Sequence, residues 1–162
     1  MTGVQTCALP ILRERLDTHS NAGLFNGLER SGWRLGWSEE PNSATKGHMA
    51  QRHHEDFAYS LGFNVGKENA MQSVRWGSPA FEAGLSTSVQ LLAVNGIAYK
   101  AERLKAAITE AKSGKAPIQL LVKDGDHYKT VAIGYSGGLR YPKLARIEGT
   151  EDRLTQVLSP RL

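Results

Sequence analysis

The run Phe57 to Val65 constrains this chain more than any other stretch. Phe57, Tyr59, Leu61, Phe63 and Val65 alternate with smaller or polar residues, which predicts an extended strand with one apolar face. Gly62 falls inside it. A residue without a Cβ lets another main chain approach closely, although glycine in an alternating strand commonly marks a bulge or kink. Around Ser60-Leu61-Gly62-Phe63, successive backbone N–H groups can point outward together, and such a concavity can receive a carboxylate.

A chain of 162 residues has room for one domain with a real core and some appendage. No apolar run approaches the roughly 20 residues that a membrane span needs. The net charge is +4, but Lys and Arg are interleaved with Asp and Glu, and no basic stripe with aromatics stands out. Nucleic acid is therefore not an expected partner. Cys7 is the sole cysteine, which excludes an internal disulfide and leaves the compartment open between periplasm and cytoplasm for a soluble chain.

Residues 1–11 carry no charge and lack the basic start of a leader peptide. They look like a translated sequencing adapter and are set aside, Cys7 with them, so the protein is expected to continue upstream. Leu12 and Leu16 share one face of a helix end, and residues 12–30 read as the end of a preceding domain with its linker. Ser20 to Gly27 reads as a loop. Trp33, Leu35 and Trp37 alternate as a strand. Glu39 to Met49 contains Pro41, Asn42, Ser43 and Gly47 without a clear period and reads as a loop, with room for a short helix into Arg52. Together residues 31–56 form a strand-and-loop extension.

After a turn at Gly66–Asn69, Met71 to Trp76 is expected to pair back as a second strand. Pro79 opens a short helix, Ala80 to Ala83, that Gly84 ends. Val89 to Val94 and Ile97 to Tyr99 flank the tight-turn pair Asn95-Gly96. Leu104, Ala107, Ile108 and Ala111 make one stripe of a long helix, Ala101 to Ser113, with Gly114 at the position that favours a left-handed residue. Ile118 to Lys123 and His127 to Ile133 form a hairpin across Asp124-Gly125. Gly134 to Pro142 reads as irregular. In the tail, residues 136–162, Thr150 is expected to cap a last helix that buries Leu154, Val157 and Leu158. The predicted class is α+β, mainly antiparallel: a partly open barrel of five to six short strands with one short and one long helix, plus N- and C-terminal extensions.

Gly77-Ser78-Pro79-Ala80-Phe81-Glu82-Ala83-Gly84-Leu85, followed by Leu91-Leu92-Ala93-Val94-Asn95-Gly96, resembles the most regular signature of PDZ domains. Ser60-Leu61-Gly62-Phe63 differs at one position from their Gly-Leu-Gly-Phe loop. The resemblance spans residues 57–135. It departs at Thr87-Ser88-Val89, where bacterial PDZ domains usually carry Gly-Asp before the third strand. It implies a groove between the Leu61–Val65 strand and the long helix, taking a peptide or protein C-terminus by strand addition. The N–H groups of Leu61, Gly62 and Phe63 would hold the terminal carboxylate, beside Ser60 and Val65. Leu61, Phe63, Leu104 and Ile108 would form the pocket walls, or equally the core, with Ala101 and Lys105 at the rim and Lys46 or Arg52 adding positive charge. Ala101 stands about where some PDZ domains use His to select a hydroxyl, so that selectivity is not expected.

A wider resemblance reaches past that domain and covers residues 12–162: Trp33-Arg34-Leu35, Glu40-Pro41-Asn42, Tyr59-Ser60-Leu61-Gly62, Ala116-Pro117-Ile118, Gly137-Gly138-Leu139-Arg140-Tyr141-Pro142 and Arg146-Ile147-Glu148-Gly149-Thr150 resemble the C-terminal third of glycyl aminopeptidases. These are bacterial gluzincin metallopeptidases, metallopeptidase family sixty-one. The resemblance implies a zinc-bearing catalytic domain upstream of residue 12, and removal of N-terminal Gly or Ala by the whole protein.

The zinc chemistry itself is not encoded here. It needs His-Glu-x-x-His on a helix, which places two imidazoles on one face with Glu as the base. His54-Glu55-Asp56-Phe57-Ala58 has Ala58 where the second His belongs. The chain is thus expected to hold no metal or cofactor and to catalyse nothing. Two binding roles and a structural one remain: a peptide-binding or substrate-positioning domain of the parent enzyme, a free-standing peptide reader, or a brace for the catalytic domain in cis with its groove empty.

Overall fold

The computed structural model describes residues 26–87, 89–114 and 116–160. The expected helix at Leu12–Leu16 and the segment 1–11 lie outside them. The chain divides into two compact units, one formed by Trp37–Lys143 and one by the residues up to Gly36 together with those from Leu144 onward.

In the larger unit the Phe57–Val65 run is not one strand. It is a hairpin of β2 (Glu55–Phe57) and β3 (Phe63–Val65), in register Glu55↔Val65, Asp56↔Asn64 and Phe57↔Phe63. The alternation misleads because Phe57, Leu61, Phe63 and Val65 all enter one core from the two arms and their turn, while Tyr59 stays exposed at the tip. Asp56 starts the reversal by accepting the Ala58 N–H at 2.8 Å. Gly62 completes it at φ +97°, a conformation that costs side-chain-bearing residues.

The strand β4 (Met71–Val74) pairs antiparallel with β3, so β3 has a neighbour on both edges. The short helix α3 (Pro79–Glu82) has proline in its first turn and Ser78 as its cap, accepting the Phe81 N–H. A second sheet holds β5 (Gln90–Val94), β6 (Ile97–Ala98), β7 (Ile118–Asp124) and β8 (His127–Ile133) in the order β6-β5-β7-β8, every pair antiparallel. Asn95 and Gly96 make the β5–β6 turn with positive φ at both positions.

The long helix α4 (Ala101–Glu110) continues as a 3-10 turn to Ser113, and Gly114 ends it at φ +68°. Its predicted stripe of Leu104, Ala107, Ile108 and Ala111 is the buried face. Residues 55–133 are therefore α+β and mainly antiparallel, with open sheets. This is the arrangement that the PDZ resemblance implies.

Three expectations are corrected. Most of the supposed loop at Glu39–Met49 lies in helix α2 (Ser43–Arg52), capped by the Asn42 side chain, which accepts the Thr45 N–H at 2.8 Å. None of its residues is buried, so it carries no apolar stripe for a period to reveal. The stretch expected to be irregular, Gly134 to Pro142, runs at Tyr141 into β9 (Tyr141–Arg146), which pairs with β1 (Trp33–Ser38). The last helix, α5 (Arg153–Leu158), is capped by Asp152 rather than Thr150. Its Val157 and Leu158 are 80% and 73% exposed, so the expected buried face is absent.

In the smaller unit, whose first described element is α1 (Asn26–Arg30), one cluster of side chains ties distant segments together. Trp33 Nε1 donates to Asp152 Oδ1 at 2.8 Å, and the Arg146 guanidinium lies 5.6 Å from the Trp33 ring centre. Arg146 also donates to the Gly32 and Thr150 carbonyls.

Candidate peptide-binding site

The turn between β2 and β3 gathers two N–H groups on one oxygen. The Phe57 carbonyl accepts from Ser60 N at 3.1 Å and from Gly62 N at 2.9 Å. The turn is anchored from outside as well. Arg75 N donates to the Gly62 carbonyl at 2.7 Å, and Ala80 N to the Leu61 carbonyl at 2.9 Å. The expected set was the N–H groups of Leu61, Gly62 and Phe63; of these only Gly62 joins the convergence, with Ser60 beside it, and the acceptor is an oxygen of the chain itself.

Ser60 is buried and acts as a fastener, its Oγ accepting the Arg140 N–H at 3.1 Å. Leu61, Phe63, Leu104 and Ile108 each have 0% exposure, and Val65 is buried too. They are interior residues of one cluster that also includes Phe57. The side chains read as pocket walls are packed core. The free strand edge expected beside them is also filled, because β2 lies against β3 there.

Ala101 and Lys105 are partly exposed. With Val65, Lys46, His54, Glu55 and other residues they line a cleft of about 690 Å³. Lys105 Nζ meets Glu55 Oε2 at 2.8 Å, both side chains about one-third exposed. Among the described residues, His54 Nδ1, Tyr99 Oη and Tyr141 Oη are buried and find no hydrogen-bond partner. Burial first, then the negative charges of Glu55 and Glu102, raise the Tyr99 hydroxyl far above its ordinary range. Burial, followed by Glu55 and Asp56, pushes Tyr141 up to about 12. These phenols stay neutral at any physiological pH.

One feature of the turn's surroundings has no forerunner in the sequence pattern. The guanidinium of Arg75 lies 5.0 Å from the Tyr59 ring centre and that of Arg140 5.0 Å from Trp37, while the two rings stand 5.1 Å apart. Such stacks hold cations in place while leaving them accessible. The residues are scattered over a hundred positions, so only the fold brings them together.

Among the described residues, no group of three or more His, Cys, Asp or Glu side chains is placed to hold a metal ion. The rings of His48 and His54 meet edge to face at 5.5 Å, whereas Glu55 is engaged by Lys105. No helix among the described residues is long and apolar enough to cross a membrane.

No protein-family model matches the chain, and no curated protein matches it. Among solved structures, the chain is similar to the crystal structure of the HtrA3 PDZ domain bound to a phage-derived ligand (FGRWV). Identity is 16% and the TM-score 0.34, over 70% of this chain and 91% of that one.

Proposed function

We propose that this chain is a non-catalytic, PDZ-like domain that binds peptide C-termini or positions substrate, and that it is the C-terminal part of a zinc-dependent aminopeptidase. The observation that carries the binding role is the pair of N–H groups of Ser60 and Gly62 converging on one oxygen. Two aligned backbone donors favour an acceptor with concentrated negative charge, and a carboxylate is the strongest such group a peptide offers. The peptidase parentage rests on the sequence resemblance that runs across residues 12–162. In that protein the zinc would belong to the domain upstream.

Calorimetric titration with matched peptides, free or amidated at the C-terminus, tests the binding role. A charge-assisted hydrogen bond is worth about 1.5–3 kcal/mol, so the free acid should bind at least about tenfold more tightly. Equal affinities would favour the second reading, a brace for the catalytic domain in cis. That reading is supported by β3 having both edges paired. Sequencing the genomic DNA upstream of the Leu12 codon tests the parentage: several hundred further residues containing His-Glu-x-x-His are expected.

A further inference from the structure

The segment Glu55-Asp56-Phe57 occupies the place that a bound peptide would take, and we infer that it is a built-in occupant of the domain's own peptide site. The inference rests on the peptide-binding reading above and adds the state and the selectivity of that site.

Four observations coincide on three residues. The segment is extended and antiparallel to β3, on the edge opposite β4. The carbonyl oxygen of Phe57 takes the N–H groups of both Ser60 and Gly62, as an oxygen of a terminal carboxylate would. The Phe57 side chain is buried in the cluster that contains Leu61, Phe63, Leu104 and Ile108, its ring centre 5.9 Å from that of Phe63. Glu55, two residues earlier and so on the same side of the strand, reaches the α4 helix through its ion pair with Lys105.

The same geometry defines what can replace the segment. A competitor must bring an acceptor oxygen for the two N–H groups, a large apolar side chain for the core position, and an acid two residues upstream for Lys105. That describes a peptide ending in Glu-x-Phe with a free carboxylate. Asp56, the middle residue, turns its carboxylate to the Ala58 N–H and sets no requirement for the ligand. When such a peptide binds, β2 must leave β3, so the occupant sets a threshold for binding.

The test uses the full 162-residue chain and a fluorescein-labelled decapeptide ending in Glu-Asp-Phe with a free carboxylate, with a Gln-Asp-Phe control. Anisotropy titrations compare wild type, Glu55→Gln and Lys105→Gln, and amide exchange is followed with and without peptide. Neither substitution touches the core, and circular dichroism verifies folding. Glu55→Gln frees Lys105 and should tighten binding of the acidic peptide about two- to fivefold, the range set by a partly exposed ion pair. Lys105→Gln should abolish the preference for Glu over Gln. Peptide should speed exchange at the β2 amides while Gly62 stays protected. Equal affinity for wild type and Glu55→Gln, with β2 still protected, overturns the occupant and leaves the peptide-binding reading standing. No binding to any of the three proteins overturns both.

Discussion

Ser78 fills the space beside Gly62 that a Cβ would need. A Cβ built on Gly62 would overlap the Cβ and Oγ of Ser78, and Gly62 also holds φ at +97°. Sequence reasoning gave this glycine the task of admitting a ligand's main chain. The close approach is instead internal, between the β2–β3 turn and the residue that caps α3. The Ser-Leu-Gly-Phe and Gly-Ser-Pro-Ala motifs are thus one packing unit, each fixing the position of the other.

Gly62→Ala should therefore destabilise the domain on two counts. Strain at positive φ costs about 1–2 kcal/mol, and overpacking against Ser78 adds about 1–3 kcal/mol. Urea unfolding should show a loss of at least about 2 kcal/mol, and Gly62→Ala combined with Ser78→Gly should recover part of it. A single variant as stable as wild type would contradict the close contact.

Leu104 and Ile108 decide between pocket wall and core. Both have 0% exposure, and truncating such residues typically costs about 2–5 kcal/mol. Leu104→Ala and Ile108→Ala should each lower stability by amounts in that range in chemical denaturation. Losses under about 1 kcal/mol would mean that these side chains border open space, as in an unoccupied groove.

The sequence carried the elements that bury an apolar face at a clear period. The α4 stripe of Leu104, Ala107, Ile108 and Ala111, the Asn95-Gly96 turn and the β7–β8 hairpin were legible because packing and turn chemistry agree there. It did not carry α2, whose residues are all at least partly exposed, or the division of Phe57–Val65 into two strands. Alternation over nine residues fits one strand or two arms of a hairpin equally well, and only the positive φ at Gly62 separates them. For the site, the partial exposure of Lys105 was legible from its place beside the buried stripe of α4. Its partner Glu55 was not, since an ion pair fifty positions apart depends on register.

The helix α2 starts on a side-chain cap and ends at His53 in the left-handed conformation. Asn42 accepts the Thr45 N–H, and the helix buries no residue, so local terms dominate its stability. Asn42→Ala should cost about 1 kcal/mol, expressed as faster amide exchange across Ser43–Arg52. Global unfolding of the β5–β8 sheet should stay nearly unchanged. A shift of the whole unfolding curve by more than that amount would show that α2 is coupled to the core beyond its cap.

Asp152 gives the smaller unit a dependence on acid. Its carboxylate accepts first from the Trp33 indole, then from the Thr155 N–H at the start of α5, with Arg146 nearby, and these donors lower its pKa below the ordinary carboxylate value. A group whose pKa is lower folded than unfolded stabilises the folded form while ionised. The contribution is complete above the unfolded value, about 4, and disappears as pH falls through the lower folded value. The Trp33 indole N–H resonance should hold its position down to about pH 4 and titrate only below it, with Thr155 amide protection falling in parallel. Asp152→Asn keeps an acceptor for the indole but removes the charge, so both signals should become independent of pH in that range. An indole resonance in wild type that titrates with a midpoint above 4 would reverse the sign of this linkage and remove Asp152 as the acid-sensitive tie of the tail.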